Sequence, residues 1–350
     1  EAHYNWNMDS RNKQQNVRPF SLSQMSSKIE RCGNCRLQLW VPSDASLFRC
    51  FICHAVSRAK PQVLMAAHQM PLQPKEGLLP SSHGRKRALL CGVSYHGKRY
   101  RIKGSINDVN CMKYFLTFKL GFPQDSILVL TEEERNPGRT PTKKNMRKAL
   151  RWLVEGSQAG DSLVFHFSGH GSRQPDLDMD EIDGMDESLC PLDFETEGTL
   201  VDDEINATIV RPLPKGALLH SIIDACYSGT VLDLPFHCRM NREGYYTWED
   251  HRVSQMYKGT SGGLAMSFSA CDDDQICVDT TALAGNVSTG AMTYSFIQAV
   301  QNEPGLTYGR LLHSMRHFIS NANNGGLRLN GPIASLLNRT FFRSQFSQVK

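Results

Sequence analysis

Five short apolar runs, separated by turns and by segments of helical periodicity, limit the folds open to this chain more than any other feature. They are Ala88-Leu89-Leu90-Cys91-Gly92-Val93, Ile127 to Leu130, Asp161 to Ser168 (DSLVFHFS), Ala217 to Asp224 (ALLHSIID) and Leu264 to Ser269 (LAMSFS). Runs apolar at consecutive positions have no face to offer water, so they predict strands buried on both sides. Between the first two, Val109, Met112, Phe115, Leu116 and Leu120 recur at helical spacing over Asn107 to Leu120, with Asp108 in the first turn and Gly121 as the stop. Thr140-Pro141 supplies an N-cap and a first-turn proline for a helix ending at Glu155. Further helices are predicted at Ala291 to Gln301 and Thr307 to Ser320, a last strand at Ile333 to Leu337, and an acidic, loop-like insertion at Asp176 to Asp203. Strands alternating with helices predict an α/β fold, a mostly parallel sheet with helices on both faces.

Two of the runs end in reactive side chains. His170 follows the third, inside Gly169-His170-Gly171, and Cys226 follows the fourth, after Asp224-Ala225. Ligands of open parallel sheets bind in the crevice beyond the carboxyl ends of the strands. Taken alone, Cys226 reads as a core thiol and His170 as a loop histidine. Taken together on neighbouring strands, they form a thiol beside an imidazole that activates it and later protonates a leaving amine. The backbone N–H groups of Gly171 and Cys226 are then candidate donors to an oxyanion.

Upstream, Cys32-Gly-Asn-Cys35 and Cys50-Phe-Ile-Cys53 are two CxxC knuckles fourteen residues apart, close to the spacing that surrounds a tetrahedral zinc with four thiolates. His54 adjoins the second knuckle as an alternative ligand. The chain divides into a polar, disordered segment 1–30, a zinc finger 31–56, a linker 57–86 with Pro61, Pro71, Pro74 and Pro80, and a second domain 87–350. Of eleven cysteines, four lie in the array and seven are scattered, which is reduced-thiol usage. With no signal-peptide pattern, this predicts a cytoplasmic protein, with the nucleus as a second setting, and no secretion. No apolar run reaches the length of a membrane span. A net charge of +4, with no basic helix interleaved with aromatics, argues against a nucleic-acid partner.

Tyr95-His96-Gly97, Gly104 to Asp108, Phe167 to Ser172, Cys190 to Asp193, Asp202 to Ile205, Asp224 to Gly229 and Ser269 to Asp273 resemble, in order and spacing, the type I plant metacaspases. The array from Cys32 to Val56 resembles the lesion-simulating-disease zinc finger that serves those proteins as a prodomain. The resemblance implies a caspase-like, mostly parallel six-stranded sheet and a calcium-dependent cysteine endopeptidase. That enzyme cuts after Arg or Lys through an acyl-enzyme, processes itself, and serves regulated cell death or proteostasis. By the same resemblance His170 is the general base and Cys226 the nucleophile. Asp108, Ser168, Asp224 and Ser105 line the pocket for the basic side chain. Asp186, Asp202, Asp203 and Asp233 bind calcium, and Cys32, Cys35, Cys50 and Cys53 a structural zinc. The partners implied are protein substrates and a regulatory protein held by the finger, with a monomeric enzyme. Tyr227 stands where the family usually has His, Ser105 where a cysteine commonly lines the pocket, and Trp40 to Asp44 depart from the finger's usual loop. These departures leave open a second reading, a zinc-finger scaffold whose protease-like domain is weakly active.

Overall fold

The five apolar runs form adjacent parallel strands in a computed structural model that describes residues 27–34, 38–42, 45–49, 55–59, 85–177, 179, 181–240, 245–252, 257–269, 279–280, 289–302, 307–324 and 343–346. Its N-terminal strands are β1 (Ser27–Arg31), β2 (Gln38–Pro42), β3 (Leu47–Arg49) and β4 (Val56–Arg58), paired β1–β2 and β3–β4. There follow β5 (Lys86–Gly92), α1 (Ser105–Phe118), β6 (Ile127–Thr131), α2 (Lys143–Val154), β7 (Ser162–Ser168), β8 (Gly171–Pro175) and β9 (Met185–Leu189). Next come α3 (Phe194–Glu197), β10 (Leu200–Val201), α4 (Asp202–Ile205), β11 (Leu218–Asp224), β12 (Phe236–Met240), β13 (Tyr246–Asp250) and β14 (Leu264–Ser269). The chain continues through β15 (Asp279–Thr280), β16 (Thr289–Gly290), α5 (Ala291–Asn302), α6 (Tyr308–Asn324) and β17 (Arg343–Phe346).

The main sheet has eight strands, not six, in the order β13-β12-β17-β14-β11-β7-β5-β6. The run from β14 to β6 is parallel; β17 joins β14 antiparallel and continues antiparallel into β12 and β13. The added strands, FHCRM, YTWED and RSQF, mix charge with apolar residues and so lack the doubly buried pattern. The strand expected at Ile333 to Leu337 lies outside the described residues. The insertion Asp176 to Asp203 is not simply a loop, because β8, β9 and β10 make a three-stranded antiparallel sheet in which Asp186, Glu187 and Ser188 are buried. Strand β1 begins inside the segment expected to be disordered, β4 runs two residues past the expected finger, and β5 starts at Lys86 within the expected linker.

Alternation along each strand splits the core into two layers. Ala88, Leu90, Val164, Ile222, Met266 and Phe268 pack with Val109, Met112 and Phe115 of α1, Met292 and Phe296 of α5, and Leu312 of α6. Leu89, Cys91, Leu163, Phe165, Phe167, Leu219 and Ile223 pack with Met146, Leu150 and Leu153 of α2. Helix α2 is capped by Thr142, whose hydroxyl accepts the Asn145 N–H at 3.3 Å, and not by Thr140 as the Thr-Pro pair suggested. Among the described residues no helix is long and apolar enough to cross a membrane.

Phe115 is fully buried and meets Phe296 edge-on at 6.1 Å, joining α1 to α5. Phe115→Ala is expected to cost about 3–5 kcal/mol of stability through lost transfer energy and a residual cavity. The shift of the urea unfolding midpoint measures it, and a cost below about 1 kcal/mol would mean that the α1–α5 contact does not hold this layer.

Candidate active site

Strands β7 and β11 run in register to a last pair, Ser168 opposite Asp224, and the Gly169 N–H then donates to the Asp224 carbonyl at 3.2 Å. His170 and Cys226 each stand two residues beyond that pair, so equal steps carry both over the same sheet edge. A β-carbon on Gly171 would overlap the Cys226 carbonyl oxygen, which shows how closely the two strand ends approach. Cys226 is 9% exposed, in a turn whose next residue, Tyr227, is half-buried. Tyr227, the residue after it, takes the left-handed conformation at φ 48°.

The imidazole of His170 is aimed by backbone. Its Nε2 lies 2.6 Å from the Tyr100 carbonyl oxygen, and a carbonyl only accepts, so Nε2 carries the proton and Nδ1 is the basic nitrogen of the neutral ring. Tyr95 packs on one side of the ring at 4.8 Å and Tyr100 on another at 5.8 Å. The Tyr95 hydroxyl accepts the His170 N–H at 2.9 Å and donates to the Cys190 carbonyl at 2.7 Å. Burial holds the Tyr95 phenol well above its ordinary range, so it stays a neutral donor. The turn carrying Tyr95 is fastened by Glu132, whose carboxylate accepts the N–H groups of Ser94, Tyr95 and His96. Cys190 donates its N–H to the His170 carbonyl at 3.0 Å, and burial together with nearby Cys226 pushes its thiol up to about 12. Tyr100, Glu132 and the bridging role of Tyr95 were not anticipated; an acidic residue just past the end of β6 was the one available sign.

A second group gathers on the α1–α5 face of the same edge. Alternation places His166, Ser168 and Asp224 on that face, opposite to Phe165 and Phe167. Ser168 donates to Asp108 Oδ2 at 2.8 Å, and the Gly290 N–H reaches both Asp108 oxygens at 3.0 and 3.1 Å. The Thr293 N–H donates to Asp224 Oδ2 at 2.8 Å, while the Thr293 hydroxyl contacts His166 Nε2 at 3.0 Å. Burial pushes His166 down to about 3, so it is neutral. A β-carbon on Gly290 would overlap the Asp224 carboxylate, so that position has room only for glycine. Asp108, Ser168 and Asp224 are thus brought together, with Gly290 and Thr293 as unanticipated neighbours. Ser105 is buried one turn before Asp108, and its hydroxyl makes no hydrogen bond among the described residues.

The acidic residues come together in part. Carboxylate oxygens of Asp186, Asp202 and Asp203 lie within 4.8 Å of one another, which suits a cation that prefers oxygen donors. Burial, then Asp233, Glu187 and Glu181, push Asp202 well above the ordinary carboxylate range. Asp233 is instead held by Lys258, whose Nζ lies 2.6 Å from Asp233 Oδ1 and 2.9 Å from Glu181 Oε1. Burial works against the Lys258 charge, but Asp233 and Glu181 outweigh it and raise its pKa. Glu181 is pushed up to about 9 and Glu187 to about 7, in both cases mainly by burial. In the finger, Cys32 is fully buried with its sulfur 3.9 Å from the Ser57 hydroxyl; Cys35, Cys50, Cys53 and His54 lie outside the described residues.

Residues 86–235 match the family described as "Metacaspase, peptidase C14 domain", and residues 32–56 the family described as "LSD1 zinc finger". The chain is 57% identical to Metacaspase-1 of Arabidopsis thaliana over 324 residues, covering 88% of this chain and 87% of that protein. It is 52% identical to Metacaspase-3 of Arabidopsis thaliana over 344 residues, covering 89% and 93%. Among solved structures, caspase-1 from Spodoptera frugiperda superposes with a TM-score of 0.40 at 11% identity, covering 79% of this chain and 93% of that one. With a strand-end Cys226 and an oriented His170 at one sheet edge, the chain belongs to the metacaspase family, as a peptidase C14 cysteine endopeptidase with an LSD1 zinc finger, which implies a structural zinc.

Proposed function

We propose that this endopeptidase cuts peptide bonds after Arg or Lys and depends on calcium. The observation that carries the specificity is the convergence of Asp108 and Asp224 beside Ser168, on the helix-covered side of the edge that presents Cys226. Two carboxylates gathered at one place suit a guanidinium or ammonium guest. An aspartate side chain would meet like charge there.

In this mechanism the Cys226 sulfur attacks the carbonyl carbon of the basic residue itself, and His170 Nδ1 takes the thiol proton. The Gly171 and Cys226 N–H groups stabilise the oxyanion. Collapse of the tetrahedral adduct expels the amine, which receives the proton from His170. Water, deprotonated by His170, then attacks the thioester and releases the carboxylate product and the thiol. The Tyr100 carbonyl holds the ring in the required tautomer throughout.

For calcium, Asp186, Asp202 and Asp203 would supply oxygen ligands, with Asp233 beside them. The bound ion would supply countercharge to buried carboxylates. Asp186 pairs with Gln174 on β8, the strand whose first residue is Gly171. Ordering the acidic end of β8 and β9 therefore steadies the other end of β8 against Cys226. Family membership supports protein substrates and a setting in regulated cell death or proteostasis.

With fluorogenic peptides ending in Arg, Lys or Asp, Cys226→Ala is expected to lower turnover by roughly 1,000-fold or more. Asp224→Asn is expected to cost about 2–5 kcal/mol in kcat/KM for the Arg peptide. Comparable rates on the Asp peptide would overturn the basic-pocket reading. Calcium dependence is tested separately: half-buried Asp203, replaced by Asn, is expected to raise the calcium concentration for half-maximal activity about 10-fold or more. Full wild-type activity in excess chelator would refute it.

A further inference from the structure

A lysine is buried beside the acidic cluster. The Lys258 side chain is 1% exposed, and an ammonium is tolerated in such a place only where oxygen acceptors gather round it. Asp233 Oδ1 lies 2.6 Å from its Nζ and Glu181 Oε1 lies 2.9 Å away. These two come from different parts of the chain. Glu181 belongs to the connection between β8 and β9, and Asp233 stands seven residues beyond Cys226, in the left-handed conformation at φ 47°. Lys258 therefore joins the acidic insertion to the segment that leaves the β11 edge.

The chain fixes the ammonium there through Asn206. This fully buried side chain donates from Nδ2 to the Asp233 carbonyl at 2.8 Å and to the Lys258 carbonyl at 3.1 Å. Asn206 directly follows α4, four residues after Asp202 and three after Asp203, spacings that share one helix face. One short helical stretch thus carries two carboxylates of the cluster and the amide that seats Lys258 beside Asp233. The carboxylates gripped by Lys258 act on the cluster itself, since Asp233 and Glu181 both help to push Asp202 above its ordinary range. Asp186, Asp202 and Asp203 bring oxygens within 4.8 Å of one another, while Asp233, the fourth residue expected with them, is held by the lysine.

An ammonium and a calcium ion compete for the same carboxylate oxygens, and in a poorly screened interior each also repels the other. Resting on the calcium reading above, we propose that Lys258 is a built-in competitor of calcium, which binds by drawing Asp233 away from the lysine toward Asp186, Asp202 and Asp203. The lysine keeps the cluster from binding calcium tightly, so the site responds to a rise in the ion's concentration. It also decides which carboxylate changes partner. Because Asp233 shares its segment with Cys226, that exchange is felt in the loop of the nucleophile.

Calcium titration calorimetry of the full chain tests this, with Cys226→Ala in every sample, the parent included, so that proteolysis cannot alter it. Lys258→Met, which keeps the length of the side chain and loses its charge, is expected to bind calcium about 10-fold or more tighter than the parent. A purely structural lysine gives the opposite sign, because its loss loosens the ligands. In excess chelator Lys258→Met should melt several degrees lower than the parent, since Asp233 and Glu181 lose their cation. Saturating calcium should then raise its melting temperature by more than it raises the parent's. If Lys258→Met does not fold, Lys258→Gln, which retains a donor for Asp233, carries the comparison with the same expectation. Equal or weaker binding in the folded variant, beside a parent that binds calcium and loses affinity in Asp203→Asn, would overturn the competition and leave the calcium reading standing. Absence of binding in parent and variant alike would overturn both, whereas binding that emerges only when Lys258 is replaced would support the competition.

Discussion

The pairing of Ser168 with Asp224, the last rung of the β7–β11 ladder, is the constraint on which the rest of the site depends. Parallel strands in register deliver equal lengths of chain past the sheet edge, so His170 and Cys226 leave it side by side. The same rung sets the faces. Ser168 and Asp224 turn toward α1 and α5, where Asp108, Gly290 and Thr293 meet them, while His170 and Cys226 continue over the edge. A one-residue slip would reverse every side chain of one strand and separate the carboxylates by a full sheet thickness. That penalty falls on both hydrophobic layers at once, so the register is protected by the core.

Buried charge is managed in two ways around this edge. Asp108 and Asp224 are held by backbone N–H groups and a hydroxyl, neutral donors that orient a carboxylate without supplying an opposite charge. Asp233 and Glu181 are held by a full charge, the buried ammonium of Lys258. Taking one partner out of such a buried group costs about 3–5 kcal/mol, because the remaining charge is stranded. Lys258 therefore acts as a tethered cation for Asp233 and Glu181, which with burial and Glu187 raise the pKa of Asp202. Arg173 supplies a second countercharge, its Nε lying 3.2 Å from Glu187 Oε1.

The central strands were legible because burial on both faces leaves a continuous apolar run, as in LAMSFS of β14. The same physics hid β9, β12, β13 and β17. In β9, Asp186, Glu187 and Ser188 are buried, with Gln174 donating to Asp186 Oδ2 at 3.2 Å, so a strand reads as an acidic loop. Within the candidate site, Cys226, His170, Asp108 and Asp224 were legible as candidates because a thiol, an imidazole and carboxylates are visible in the sequence itself. The Tyr100 carbonyl is a backbone group with no sequence signal, and Gly290 is defined by the absence of a side chain. Lys258 was equally hidden, since no spacing connects it to carboxylates 25 and 77 residues away.

Environment also favours one thiol among several for the proposed role of nucleophile. Cys91 is fully buried on β5, and burial alone raises its pKa, which keeps it protonated. Cys190 lies close enough to Cys226 to feel its charge, yet it is 3% exposed and pushed up to about 12. A thiolate forming at Cys226 thus has a neighbour that will not compete for the substrate carbonyl. Cys190 contributes through its backbone instead, donating to the His170 carbonyl and accepting from Tyr95. The basic nitrogen of His170 completes the distinction, because thiolate reactivity requires an acceptor for the proton as well as partial exposure of the sulfur. Cys226 occupies the strand end where both conditions meet.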